Sequence, residues 1–373
     1  MGYKYGLIIA AVLLIGMSIG YLLTLTFAAP RATPIAPATT VTTTITIPSV
    51  TSIRETVTVT TVKTETISVK LEKRSVIDAF GRLIEFERIP SRVISLAPSV
   101  TEKLFALGLE NVVIGVDSYS DYPEKVLELV NENRISVVGG PWTPDLEKII
   151  ALNPELVILC RGVRPQESLY PKLEEVGIKT AFLLCDNAKN QYDIYSDLYT
   201  LGVIFAVEER AKSVSDDIQR RLDETLLKLK EANVSKVRVL VLIGPPSWGI
   251  YSAGGDTFIG WLIDRAGGIN IAKAYSGWPQ LDYEFILNND PEVIIITSHG
   301  IDPKDLYNEL LNTPIVKTSA WMNRKIYLFT DEANDVLCRP GPRIVTALEI
   351  LAHILHPEVL GEIQRTDVYR IAG

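Results

Sequence analysis

Short, uninterrupted apolar runs recur along the chain, each bounded by Gly, Pro or polar turn residues. Val93–Leu96, Val112–Gly115, Leu156–Leu159 and Thr180–Leu184 form one group; Val237–Ile243, Val293–Thr297 and Lys325–Phe329 form a second. Runs of this length predict buried strands of parallel sheets, with helices between them. Between the groups lies "AVEERAKSVSDDIQRRLDETLLKLKEAN". Its apolar residues Val214, Ile218, Leu222, Leu226 and Leu229 keep helical spacing, and it holds no Gly or Pro. That predicts one long amphipathic helix. Ahead of the first group, "VIDAFGRLIEF" predicts a hairpin turning at Phe80-Gly81.

One unit occurs twice. "DLEKIIALNPELVIL" (Asp145 to Leu159) aligns with "DYEFILNNDPEVIII" (Asp282 to Ile296). Asp145 matches Asp282, Glu147 matches Glu284, Pro154 matches Pro291 and Glu155 matches Glu292. Each copy reads as an Asp helix cap, a short helix, a Pro stop and a buried strand. Each follows an aromatic residue in a Gly/Pro turn, Trp142 in "GGPWTP" and Trp278 in "SGWPQL". Helix–strand proteins often carry such stop signals, but the double match at cap and Glu points to two similar lobes.

The predicted fold class is therefore α/β: two similar α/β lobes joined by one long rigid helix, with a ligand cleft between the lobes. The N-terminal lobe is placed at 69–200, the connecting helix at 201–236 and the C-terminal lobe at 237–373. A surface helix of one lobe is the plainer reading of the connecting segment; a stiff strut would limit lobe motion. In open parallel sheets, ligands bind beyond the carboxyl ends of the strands. Ala97-Pro98-Ser99, Tyr119, Arg161, His299, Trp248 and Tyr251 all follow predicted strand ends. Several aromatics would then converge on one cleft, although aromatic residues in turns often serve as satellite core.

The N-terminus changes the picture from a soluble body to a tethered one. Gly6–Ala29 is a charge-free, mostly apolar stretch of 24 residues, enough to span a bilayer. Segment 6–29 is expected to be a transmembrane anchor or a signal segment, uncleaved in the preferred reading. Segment 30–68 alternates Thr with Val and Ile between Pro breaks and reads as a Thr/Pro-rich linker or stalk, with a sheet-forming segment as the alternative. The expected location is the extracellular face of the cell membrane. The formal charge of −8 argues against a nucleic-acid partner, since phosphate binding needs a basic face.

Taken together, "RVISLAPSVTEKLFALG", "VIGVDSYSDYP", "DLEKIIALNPELVI", "AGGINIA", "GWPQLDYEFIL", "DPEVIIIT" and "RPGPRIV" resemble a known family over about Asp78 to Pro357. The resemblance is to the periplasmic binding proteins of ABC importers for vitamin B12 and ferric siderophores. "SYSDYP" and "WPQ" look most like the cobalamin-binding branch. The resemblance implies a monomer that captures a corrinoid and delivers it to an ABC importer permease with its ATPase subunits, with no resident cofactor and no catalysis. It implies a ligand cleft using Pro98, Tyr119, Trp142, Tyr251, Trp278 and Arg339. It also implies permease docking through Glu147 and Glu284, by carboxylate–Arg pairing. A Glu in a first helical turn also suits the helix dipole, and that alone would account for it.

One position departs from the cobalamin branch: the strand end where an aromatic is expected holds Cys160. Cys160 and Cys185 close what read as neighbouring strands and either form a disulfide or remain free thiols. Arg161, Arg164, Arg339 and Arg343 would suit an anionic ferric chelate, so a ferric siderophore or haem is the alternative ligand. An enzyme is disfavoured, because no nucleophile elbow, phosphate loop or His-Glu-x-x-His is present. His353 and His356, with His299 the only others, make no metal site by pattern. A surface or adhesion protein without a transport role is the second alternative, and it leaves the cleft aromatics and paired Glu unexplained.

Overall fold

The computed structural model describes residues 73–371, plus a short antiparallel pair, Thr43–Thr44 with Thr58–Val59. The expected anchor at 6–29 lies outside the described residues, as does the linker at 30–68 apart from that pair. Among the described residues no helix is long and apolar enough to cross a membrane.

The hairpin forms as the pattern predicts. β1 (Arg74–Ile77) pairs antiparallel with β2 (Leu83–Phe86), and Gly81 takes φ +76° in the turn, a region open to Gly without steric cost. Two five-stranded sheets follow. The first contains β3 (Val93–Ser95), β4 (Val113–Val116), β5 (Ser136–Val137), β6 (Leu156–Cys160) and β7 (Lys179–Leu183), in the spatial order β7-β6-β3-β4-β5. All its pairings are parallel. The second contains β8 (Val237–Ile243), β9 (Gly268–Asn270), β10 (Val293–Thr297), β11 (Ile326–Phe329) and β12 (Val368–Arg370), ordered β9-β8-β10-β11-β12. Only the β11/β12 edge is antiparallel. Every residue of β6 and β10 is buried, as continuous apolar runs covered on both faces require.

The helices that matter for the site are α1 (Pro98–Ala106), α2 (Leu146–Ala151), α3 (Arg164–Glu175), α4 (Gln191–Phe205), α5 (Glu208–Glu231), α6 (Phe258–Arg265), α7 (Tyr283–Asn289), α8 (Asp331–Cys338) and α9 (Ile344–Leu355). The segment expected as one element over 201–236 is divided. α4 runs to Phe205 and ends at Ala206 in the left-handed region, and α5 then extends for 24 residues. α5 buries Ile218, Leu222 and Leu229 and packs on both α4 and α9.

One apolar core spans both lobes. Leu104, Leu198, Ile218, Leu222, Val241 and Leu348 belong to a single packed cluster. The outer faces of the two sheets carry separate clusters, one around Ile94 and Leu159, the other around Leu240 and Ile294. The lobes are therefore joined through packed side chains as well as through the chain.

Candidate functional site

The strand ends of the two sheets face a trough with two chambers. The first, of about 250 Å³, is walled by Ala97, Pro98, Ser99, Tyr119, Pro141, Trp142, Val163, Gln166 and Asp186 from one lobe and His299, Asn334, Asp335, Cys338 and Arg339 from the other. The second, of about 430 Å³, has Trp142, Gly162, Asp186 and Asn187 on one side and Ile243, Phe258, Ile259, Trp278, Cys338 and Pro340 on the other. Trp142, Asp186 and Cys338 border both, so the two chambers adjoin. Their mixture of apolar wall and few polar groups is that of a small-molecule site.

Five of the six residues expected in the cleft are at its walls. Pro98, Tyr119, Trp142 and Arg339 line the first chamber, and Trp142 and Trp278 line the second. Tyr119, Trp142 and Trp278 are each about half exposed, leaving apolar ring surface for a ligand to cover. Tyr251 lines neither chamber. Gly244 and Gly249 turn the chain at positive φ, and the Tyr251 ring folds over Gly249, where a Cβ would come within 2.6 Å of it. Trp248 lies over Gly244 in the same manner.

A buried amide fixes the floor of the first chamber. Gln166 of α3 accepts from Cys160 N at 2.8 Å and donates to Leu96 O at 2.7 Å and Pro141 O at 3.1 Å. It ties the ends of β3 and β6 to the turn that carries Trp142. Asp117, just after β4, does the same for Tyr119. Its Oδ1 accepts from Tyr119 N at 2.8 Å, and its Oδ2 accepts from Ser120 Oγ at 2.5 Å. Burial pushes the Asp117 carboxyl up to about 6, against the lowering effect of those two bonds.

Arg339 is not a free cation. Its guanidinium meets Asp121 Oδ1 at 2.6 Å, Asp335 Oδ1 at 2.8 Å and Glu102 Oε1 at 3.6 Å. His299 joins the same network at 3.2 Å from Asp335 Oδ1, and that bond raises its pKa despite the opposing effect of burial. Arg343 is committed to Glu102. Arg161 donates to Ala79 O at 2.9 Å and lies over the Phe80 ring, while Arg164 is exposed at the start of α3 and lines neither chamber. The cluster of arginines expected to serve an anion is thus dispersed or already paired. No group of three or more metal-ligating side chains occurs among the described residues. His353 instead bonds to Gly361 O, and His356 is buried.

Cys160 and Cys185 are joined by a disulfide, with their Cα atoms 5.4 Å apart. Their strands are neighbours, and Cys185 opens the turn Cys185–Asn187 on the trough wall. Cys338 is free, and burial pushes its thiol up to about 12.

The two repeated Glu occupy equivalent places. Asp145 Oδ1 accepts from Lys148 N at 3.0 Å at the start of α2, and Asp282 Oδ1 accepts from Phe285 N at 2.7 Å at the start of α7. Glu147 and Glu284 are the second residue of each helix and both are exposed. Neither has an ion-pair partner among the described residues.

Sequence reasoning did not single out Gln166, Asp186 or Asn334. A Gln on an amphipathic helix and an Asp in a polar turn carry no distinguishing pattern; their roles arise when distant segments meet.

A fold of two facing sheets with a trough at their strand ends is that of a binding protein for small solutes. A periplasmic binding protein family model matches residues 93–333, and the chain belongs to that family. It is 30% identical over 266 residues to a vitamin B12-binding protein of Pectobacterium atrosepticum, covering 70% of this chain and 87% of that one. It is 25% identical over 305 residues to a substrate-binding lipoprotein of an ABC transporter in Bacillus subtilis, covering 80% and 89%. Its fold matches the crystal structure of a periplasmic heme-binding protein from Pseudomonas aeruginosa with a TM-score of 0.65 and 23% identity, over 75% of this chain and 97% of that one.

Proposed function

We propose that this chain is the solute-binding protein of an ABC importer, and that it captures a corrinoid in the trough and hands it to a membrane permease. The observation that carries the reading is the trough itself. Trp142 stands between its two chambers, Tyr119 and Trp278 flank them, and all three present half-exposed rings. Flat, partly apolar ligands gain most from such surfaces. The similarity to a vitamin B12-binding protein at 30% identity supports a corrinoid over other solutes. Already-paired arginines weigh against the alternative, a ferric siderophore or haem.

Delivery would use Glu147 and Glu284 as docking carboxylates for arginines of the permease. Each sits exposed at a capped helix start, one per lobe. The continuous core through α5 supports small lobe movements about a stiff connection. The disulfide fits an oxidising compartment outside the cytoplasm, with segment 6–29 as the tether and 30–68 as the spacer. The protein binds and releases its ligand without transforming it.

Calorimetric titration of the full chain with cyanocobalamin, cobinamide, haem and a panel of ferric siderophores tests this. One-to-one binding of a corrinoid, with the others silent, is the expected result. Binding of an iron chelate alone would replace the ligand assignment, and binding of none would overturn the transport reading.

A further inference from the structure

Asp186, Asp335, Arg339 and His299 are the charged or chargeable groups of these types that face the trough. Three of them answer one another: Arg339 and His299 both contact Asp335, and Asp121 adds a further carboxylate to the guanidinium. Asp186 stands apart. It borders both chambers, and among the described residues its carboxylate has no hydrogen-bond or ion-pair partner. By surface area Asp186 is exposed at the trough wall. Desolvation by the neighbouring wall holds its carboxyl above the ordinary Asp range, and Lys103 draws it partly back.

The backbone beneath this carboxylate is held in place. Cys185 is tied to Cys160 through sulfur. Leu184 N and Cys185 N donate to the Asp197 carboxylate at 2.8 and 3.2 Å, and that carboxylate also receives buried Lys103 Nζ at 2.9 Å. Ala188 N closes the turn on Cys185 O at 2.8 Å. A rigid turn thus presents an unpaired acceptor at the junction of the chambers, opposite a lobe whose one guanidinium in the trough is already neutralised.

We propose that Asp186 sets the charge of the ligand: it accepts hydrogen bonds from amide or hydroxyl donors of a neutral or cationic ligand and rejects one that presents an anion to that wall. The inference rests on the reading of the trough as a corrinoid site, whose side-chain amides are such donors. An acceptor-only group gains from N–H and O–H donors. Against a carboxylate it produces a like-charge contact at the wall shared by both chambers, which is how a site discriminates by repulsion.

The test compares cyanocobalamin with its monocarboxylate hydrolysis products, in which one side-chain amide has become a carboxylate. Each is titrated against the full chain, the Asp186→Asn variant and the Asp186→Ser variant, with far-ultraviolet circular dichroism as the check on folding. The unaltered chain should bind at least one acid form about ten- to hundred-fold more weakly than the amide. Both variants should narrow that ratio. An unchanged ratio in both folded variants would overturn the inference while leaving the corrinoid reading intact. If no corrinoid binds, that reading fails separately, and a negatively charged ferric chelate then decides. Binding to the variants but not to the unaltered chain upholds the role of Asp186, and equal binding to all three overturns it.

Discussion

Glu102 and Arg343 grip one another across the two lobes. Arg343 donates from Nη2 to Glu102 Oε1 at 2.6 Å and from Nε to Oε2 at 3.1 Å. Glu102 belongs to α1 beside the first sheet, whereas Arg343 stands at the start of α9 in the second lobe. Both side chains are almost wholly buried, and the guanidinium lies 3.8 Å from the Tyr122 ring centroid. A planar fork meeting a carboxylate at two points has both directional and Coulombic specificity.

Truncating Glu102 removes the two-point contact and leaves the mostly buried Arg343 with the longer contact to Glu332 Oε1, at 3.4 Å. Glu102→Ala is expected to cost about 3–5 kcal/mol of stability, and Glu102→Leu combined with Arg343→Met to recover much of it. Urea unfolding of the three proteins checks this. A midpoint for Glu102→Ala equal to that of the parent would show that the pair is not a determinant of stability.

The disulfide closes a loop between residues 25 apart in sequence. Cys160→Ser with Cys185→Ser is expected to cost about 3 kcal/mol by the chain-entropy argument. It should also loosen the turn that carries Asp186. Thermal unfolding of the double variant gives the first quantity. Amide hydrogen exchange at Ala188, bonded to Cys185 O, gives the second, and unchanged protection there would count against any role for the bridge in holding the turn.

Glu147 and Glu284 are surface residues whose replacement leaves the core intact. Glu147→Ala with Glu284→Ala should abolish ligand uptake by cells carrying the complete importer, while the affinity of the purified chain for its ligand stays within about twofold. Normal uptake by the double variant would remove the docking role.

Asp117 has a folded-state pKa of about 6, raised from 3.8 by burial. The folded chain therefore holds this proton more tightly than the unfolded chain does. The stability it contributes is full below about pH 4 and is lost as pH rises through about 6. At roughly 1.4 kcal/mol per unit, the loss is on the order of 3 kcal/mol. Asp117→Asn lacks this titration. Relative to the parent, the variant should gain stability between pH 4 and pH 7 in urea unfolding, and a constant difference across that range would exclude the effect.

Much of the fold is readable from apolar runs because the strands are buried on both faces. Val237–Ile243 and Val293–Thr297 form as strands with the bounds the pattern predicts. β9 and β12 escape the pattern. Each is a three-residue edge strand, "GIN" and "VYR", whose pairing is set by the neighbouring strand rather than by its own composition. The repeated Asp and Glu were legible because helix capping is a local rule, and the aromatics because they sit beside strand ends. Tyr251 shows the limit of that second argument: its ring folds back over Gly249, which stands at positive φ in its own turn. Arg339 shows another, since its three carboxylates come from positions 102, 121 and 335, and no local pattern foretells that such a cation arrives already matched.

The amide of Gln166 has a thermodynamic consequence for ligand capture. By tying the ends of β3 and β6 to the Trp142 turn before any ligand arrives, it removes backbone freedom that binding would otherwise have to freeze. The ordering entropy is then settled at folding, once per molecule, rather than at each encounter. Association should accordingly carry a small conformational-entropy penalty at this wall of the trough.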